Sequence, residues 1–432
     1  MAEQVSSLKT GIKYKNTPIG KIPVDWEVKK LIDTASNEKY SFTGGPFGSD
    51  LKENTYTDYG VRIIQLQNIG DGRFLDDYKI FTSEEKANQL KNCNIYPGDI
   101  IIAKMADPVA RACIIPYVDK RYLMASDGIR LSVNKEKYDV KFMLYAINSP
   151  NFRNNAENHS TGSTRLRIGL TELKNLLIAI PPLKDQKKIA DILKTVDEAI
   201  EKTDQIIEKT KETKKGLMQK LLTRGIGHKK FKKTNIGEIP EKWNTGKISD
   251  YGEIVTGNTP STNVPEYYGN EYPFVSPFDL GSKKIIIKSQ KYLSGKGLSV
   301  STKVPPNSVL VVCIGSTIGK TGVAGRISAT NQQINSIICK NNEYNFVYYY
   351  VTFISDKIRK LAGTQAVPII NKGNFSMIRV AIPPIDEQKI IGDILSSIDE
   401  EIEQESNHKE QLESFKKGLM QVLLTGKIRV FV

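Results

Sequence analysis

The sequence predicts an α+β protein. Two globular blocks are joined and spaced by two long, antiparallel coiled-coil helices in a cyclic pseudo-twofold arrangement. Three observations predict this. A helical segment occurs twice, as IPPLKDQKKIADILKTVDEAI from Ile180 and IPPIDEQKIIGDILSSIDEEI from Ile382, and both copies run on into KKGLMQ-x-LLT. The copies keep one offset of 202 positions, at Ile180 and Ile382 and again at Gly216 and Gly418, so neither carries an insertion. A second repeat, TPIGKIPVDW from Thr17 and TNIGEIPEKW from Thr234, opens each block. A fixed-period repeat of this kind signals a body built from two like units.

Between these anchors the blocks diverge but keep an outline. IYPGDIIIAKM near Pro97 parallels VPPNSVLVVCI near Pro306, and each apolar run reads as a strand. YDVKFMLYAI around Phe142 parallels YNFVYYYV around Phe346, and each reads as a mostly apolar helix. Ile-Pro-Pro then stops a strand, because proline lacks the N–H that a ladder or a helix interior needs. Asp185 and Asp386 follow in the first helical turn, where carboxylates favour the helix dipole.

The first long helix carries Ile189, Leu193, Val196, Ile200, Thr203, Ile207, Thr210, Lys214, Leu217 and Leu221 at alternating steps of four and three, which is a heptad seam. The second carries Ile391, Leu395, Ile398, Ile402, Glu405, Lys409, Leu412, Lys416, Leu419 and Leu423. Both seams are apolar at their ends and weak in the middle, so neither helix stands alone and each needs the other's stripe. From Asp185 to Leu222 the first would extend roughly 55 Å at about 1.5 Å per residue. An ordinary helical bundle is the competing reading, but a rigid spacer accounts for a constant helix between divergent blocks. The domains are expected at 1–180, 181–230, 231–382 and 383–432: block, spacer and junction, block, spacer. The opening LKTGIKYKNTPIGKIP resembles the mid-chain junction LLTRGIGHKKFKKTNIGEIP, which suggests that the body closes on itself.

Composition narrows the function. Over 432 residues, 39% hydrophobic and 25% charged, the chain has the balance of a folded soluble protein with more than one core. It has no run of about 18 apolar residues and no apolar signal core at its start, so no membrane span is expected. Four scattered cysteines (Cys93, Cys113, Cys313, Cys339) without a C-x-x-C pair, and only three histidines, argue against zinc and for a reducing, cytoplasmic setting. His159, His228 and His408 are expected in polar, solvated surroundings. The net charge of +14 points to a nucleic-acid partner.

Two near-motifs test for catalysis. VLVVCIGSTIGKTG, Val309 to Gly322, imitates a nucleotide-binding loop, yet Gly315 and Gly319 are separated by three residues where the phosphate cradle needs four between its glycines. A strand entering a tight turn is the simpler reading. Val275-Ser276-Pro277-Phe278 approaches an adenine-methyltransferase tetrapeptide but is one proline short and has no glycine-rich loop upstream. No catalytic residue, metal ligand or cofactor is therefore assigned.

The twice-used IPP-x-x-[DE]-Q-x-x-I-x-x-I-L-x-x-[IV]-D, the KKGLMQ-x-LLT ends and the IG-x-IP-x-x-W starts resemble the specificity subunits of type I restriction-modification systems. That resemblance implies two target recognition domains, each reading one half of a split double-stranded DNA site. It implies a helical ruler that sets the gap between halves and binds two methyltransferase subunits, with restriction subunits joining through that complex. It implies no catalysis by the chain itself. The KKGLMQ-x-LLT ends, with Leu217, Met218 and Leu221 in one copy and Leu419, Met420 and Leu423 in the other, are the expected docking surfaces.

Candidate DNA contacts are polar and basic residues at loop and strand ends, since phosphate contacts position a protein and base contacts specify sequence. In the first block these are Ser49 and Lys52 in the glycine-rich loop Phe42 to Glu53, Arg62 and Gln65 around a strand end, Lys104 and Arg111 flanking a turn, and Arg165 and Arg167 in STGSTRLR. In the second they are Asn258 and Thr259, Lys320 as a phosphate contact, the amide cluster Asn331, Gln332 and Gln333, and Thr364 with Gln365. Each could equally be an ordinary exposed polar residue. The basic tract Arg224 to Lys233 holds phosphates or is a solvated junction. An enzyme with unrecognised motifs and an adaptor unrelated to DNA are the rival functions.

Overall fold

The computed structural model describes residues 13–105, 108–163, 165–363 and 367–430. The chain forms two compact units. One comprises the segment up to Lys202 together with the segment from His408; the other is Thr203–Asn407. The two long helices, Leu183–Arg224 and Ile385–Leu423, each contribute one half to either unit.

Both units follow one plan. In the first, Ala112–Ile114, Ile100–Ala103, Gly128–Leu131 and Phe42–Gly44 form an antiparallel sheet in that order. A five-stranded sheet faces it, with Tyr122–Met124 parallel to Val61–Ile64 at its centre. Ile64, Tyr122 and Met124 from one sheet pack on Ile101, Ala103 and Cys113 from the other. The second unit repeats the pattern. Val309–Val312 lies between Thr321–Ala324 and Ile334–Cys339, and Ser328–Thr330 runs parallel to Tyr268–Val275. The central strands are buried along their whole length, which is why they read as unbroken apolar runs.

The expected block helices are present as Val140–Ile147 and Tyr344–Phe353. Strands Leu177–Ile180 and Arg379–Ile382 end at the repeated prolines, as predicted. The glutamine that follows in both motif copies joins the long helix to its block. Gln186 accepts from Asp139 N–H (2.9 Å) and donates to Pro181 O (2.8 Å). Gln388 repeats this with Glu343 N–H (3.0 Å) and Pro383 O (2.9 Å). Asp139 and Glu343 are also the N-caps of the block helices.

The apolar seam ends fill unit cores. Ile189, Leu193, Met420 and Leu423 pack with Trp26, Phe142 and Ile147 in the first unit. Leu221, Ile391 and Leu395 pack with Trp243 and Phe346 in the second. Each such side chain contributes roughly 1.5–3 kcal/mol of burial. The polar middle of the seam holds a three-residue clasp in each unit. In the first, Lys416 Nζ meets Asp197 Oδ1 at 2.6 Å while Tyr145 OH donates to Asp197 Oδ2 at 2.6 Å. In the second, Lys214 pairs with Asp399 and Tyr349 OH donates to Asp399 Oδ2 at 2.6 Å. In the first unit Asp185 meets Arg429 and Asp197 meets Lys416, so the helices run antiparallel. Glu387 near Ile226 and Asp399 near Lys214 give the same sense in the second.

The expected closure is also seen. Tyr14 OH donates to Gly426 O (3.2 Å), and Arg429 reaches the Asp25 carboxylate at 2.6 and 2.8 Å and Asp185 at 2.9 Å. In the second unit the matching stretch is one continuous chain. There Glu387 accepts from Ile226 N–H and Trp243 Nε1–H and meets His228 Nε2 at 2.9 Å. His228 is thus half-buried on a carboxylate rather than solvated, because the junction folds back over the helix start.

Candidate nucleic-acid interface

In each unit backbone hydrogen bonds build one end of the paired sheets, and several of the polar residues singled out from sequence, Lys104, Arg111 and Arg167 in one and Lys320, Asn331 and Gln333 in the other, belong to it. In the first unit, Lys104 N–H donates to Asp127 O (2.8 Å) and Lys104 O accepts from Ile168 N–H (3.0 Å). Ala103 N–H donates to Arg111 O, Gly45 N–H to Gly128 O and Ala125 N–H to Ile64 O. Met105 and Arg167 form a bridge. In the second unit, Cys313 N–H donates to Gln333 O (2.8 Å) and Cys313 O accepts from Ile370 N–H (2.9 Å). Val312 N–H donates to Lys320 O, Gly257 N–H to Ile334 O and Asn331 N–H to Val275 O, and Ile314 bridges Ile369. The frames coincide bond for bond. Lys104 corresponds to Cys313, Arg111 to Lys320, Asp127 to Gln333 and Arg167 to Ile369.

Two glycines make the close approach possible. A Cβ on Gly45 would stand 1.9 Å from Ala125 O, and one on Gly257 would stand 2.2 Å from Thr330 O. Neither site admits a side chain.

Several candidates lie open at this end. Ser49 and Lys52 are exposed in the loop after Gly45, and Arg165 and Arg167 are exposed on theirs. Arg167 Nη2 stands 2.7 Å from Asp127 Oδ1. Lys104 is half-buried with its ammonium 3.3 Å from Ser126 O, and burial together with the charge of Arg167 lowers its pKa. Arg111 is half-buried, with Nη2 donating to Leu66 O (2.9 Å), and Gln65 donates to Tyr56 OH (3.3 Å). In the second unit Lys320 and Gln332 are exposed, and Thr259 donates to Gln332 Oε1 (2.7 Å). Asn331 Nδ2 donates to Gln333 Oε1 (2.8 Å).

Other candidates are placed differently. Arg62 is 4% exposed, paired with Asp76 and donating to Tyr78 O, so it holds the sheet rather than facing outward. Its strand, Val61–Ile64, is covered on both faces. Asn258 is turned to Val300 O and Thr302 N–H, anchoring a neighbouring loop. Thr364 and Gln365 lie outside the described residues. Among the docking candidates, Leu221, Met420 and Leu423 are buried in their own unit cores, while Leu217, Met218 and Leu419 are partly exposed.

The nucleotide-loop imitation is a tight turn into the strand Thr321–Ala324. Gly315, Ile318, Gly319 and Lys320 donate their N–H groups to Pro368, Gly315, Val312 and Thr317 carbonyls, so these donors are occupied where a phosphate cradle needs them free. The Ser276 turn is closed by Asp279, which accepts from both the N–H and the hydroxyl of Ser276 at 2.8 Å. Among the described residues no three potential metal ligands cluster, and no helix is long and apolar enough to cross a membrane. Sequence reasoning missed Asp127, which sits in an unremarked Ser-Asp-Gly turn, and the exposed aromatics Phe47 and Phe278 on adjoining loops.

Comparison with known proteins gives one consistent result. The type I restriction modification DNA specificity domain matches residues 23–212 and 240–414. A putative type I restriction enzyme MjaX specificity subunit of Methanocaldococcus jannaschii is 30% identical over 436 residues, covering 96% of this chain and 97% of that protein. The HindI specificity subunit of Haemophilus influenzae is 30% identical over 197 residues, covering 44% and 42%. Among solved structures, a chain from a study of type I R-M complex assembly and conformational transition matches with a TM-score of 0.59 at 15% identity, over 94% of this chain and 99% of that one. The S subunit of the type I system of M. genitalium matches at 0.56 and 14%, over 94% and 97%.

Proposed function

From the premise that this chain belongs to the type I restriction-modification DNA specificity family, we propose that its two sheet ends read the two halves of one split double-stranded DNA site. The observation that carries this is the repeated backbone frame, which displays Lys104, Arg111 and Arg167 in one unit and Lys320, Gln332 and Gln333 in the other. One scaffold with two sets of side chains is what an asymmetric bipartite site requires. Exposed lysines and arginines supply phosphate contacts, and arginine and amide side chains match the major-groove edges of guanine and adenine.

In this reading Ser49, Lys52, Gln65, Lys104, Arg111, Arg165 and Arg167 serve the first half-site, and Thr259, Lys320, Asn331, Gln332, Gln333, Thr364 and Gln365 serve the second. The blocks 1–180 and 231–382 are the recognition domains; the helices in 181–230 and 383–432 set the gap. The partly exposed Leu217, Met218 and Leu419 offer each helix end to one of two methyltransferase subunits, and restriction subunits join through them. The chain contributes recognition and no catalysis, acts in the cytoplasm and needs no cofactor of its own. The occupied N–H groups of the Gly315–Lys320 turn support the non-catalytic reading.

The test is to express the chain with its cognate methyltransferase and map modified bases in the host DNA. A split motif of fixed gap, lost when either protein is omitted, is expected. A contiguous motif, or methylation without this chain, overturns the proposal.

A further inference from the structure

The frame shared by the two units has one position pair at which they differ most in chemistry. The first unit has Asp127 and Arg167; the second has Gln333 and Ile369. Arg167 is fixed at its backbone by two bonds with Thr161, 3.0 and 2.9 Å, so the root of the side chain does not wander. Its side chain is 53% exposed, and that of Asp127 is 20% exposed. The Nη2–Oδ1 approach of 2.7 Å is a charge contact: Asp127 Oδ1 makes no directional hydrogen bond among the described residues. Asp127 therefore orients the guanidinium by charge through Nη2, and Nε and Nη1 remain for a second partner.

A second charge defines the surroundings. Lys104 is bonded through its backbone N–H to Asp127 O and through its carbonyl to the N–H of Ile168, the residue after Arg167, and its ammonium lies against Ser126 O. A guanidinium held beside a carboxylate, with an ammonium alongside, suits a bidentate partner with two adjacent acceptors. The guanine N7 and O6 edge is such a partner. The corresponding place in the second unit has no cation in the pair. Gln333 Nε2 donates inward to Ile314 O (3.4 Å), and Ile369 is half-exposed and apolar.

We propose that Arg167 is the guanine-reading residue of the first half-site, that Asp127 is its positioning residue, and that the substitution of this pair by Gln333 and Ile369 is one reason the two half-sites differ in sequence. This rests on the bipartite reading above and deepens it.

The experiment uses the full chain co-expressed with its methyltransferase and reads the methylated motif genome-wide. Arg167→Lys keeps the charge and loses the fork; Asp127→Asn keeps the shape and loses the orienting charge. Each is expected to relax discrimination at one and the same guanine position by about 10- to 100-fold, the usual worth of a bidentate contact. The other half-site and the gap stay unchanged. Gln333→Glu, read in the same way, should alter only the half-site that Arg167→Lys leaves intact. If the wild-type motif is not split, the proposed function fails. If it is split and both first-unit variants lower methylation with the motif unchanged, or relax different positions, the Asp127–Arg167 inference fails and the bipartite reading survives. A thermal unfolding profile that matches wild type accompanies each variant, so a motif change is read only from folded protein.

Discussion

Replacing the clasp lysines with methionine should cost the two units unequally, and the difference can be worked from their neighbours. In the first unit Lys416 is the cation paired with Asp197, and Tyr145 OH supplies the other bond. Lys416 is 24% exposed and Asp197 38%, so the pair is partly screened. Lys416→Met removes the ammonium that lies over the Tyr145 ring, 5.7 Å from its centroid, and leaves Asp197 with a phenol alone. The expected loss is about 1–2 kcal/mol, below the strongest charge-assisted bonds because water reaches the site. In the second unit Asp399 has a further cation nearby. Lys284 donates to Tyr349 OH (3.2 Å) and Ser396 Oγ (2.7 Å); burial chiefly disfavours its protonated form, the charge of Asp399 favours it and that of Lys214 opposes it. Lys214→Met removes an attraction and a repulsion together, so the loss there should be roughly half as large. Urea unfolding of each variant, followed by the tryptophans Trp26 and Trp243 in separate Phe backgrounds, measures both. Equal losses, or a larger loss for Lys214→Met, would refute the compensation by Lys284.

Three further outcomes follow from other sites. Burial holds Lys284 down at about 8, whereas an unfolded lysine titrates near 10.4. Between those values the unfolded chain binds more protons, so stability should rise with pH from about 8 to 10, by about 1–2 kcal/mol after allowance for the solvent-exposed part of the side chain. Lys284→Met should flatten that rise in thermal melts. Trp243→Phe loses the bond to Glu387 (2.8 Å), while Trp26 Nε1 has no partner among the described residues. Trp243→Phe should therefore be the more destabilising by about 1–2 kcal/mol in denaturant titrations. Lys320→Ala should weaken DNA binding similarly across sequences and lower the salt slope by about one, measured by fluorescence anisotropy at several salt concentrations.

Much of the fold was legible because its signals are local. The repeated prolines, the apolar seam ends and the entrance motifs act over a few residues, and all reappear as strand ends, core contacts and closure. The weak seam middle was legible only as weakness. Lys214 and Lys416 were read as imperfect heptad positions, but their carboxylates lie on the opposite helix and their tyrosines on the block helices, so no single window contains a clasp. The interface was half legible for the same reason. Arg167 stands out as a basic residue in a loop, whereas Asp127 matters only through a pairing made in three dimensions. Arg62 went the other way: its residue type suggests a contact, and burial on both faces of its strand makes it a structural ion pair.

The backbone-borne frame has a consequence for how such a protein changes over generations. Its bonds run between N–H and carbonyl groups, and only positions such as Gly45 and Gly257 demand a particular residue. Substituting the side chains at 127, 167, 333 or 369 breaks none of those backbone bonds. In the proposed reading stability and specificity draw largely on different atoms, so a lineage could rewrite the sequence it recognises one side chain at a time while the backbone frame is kept.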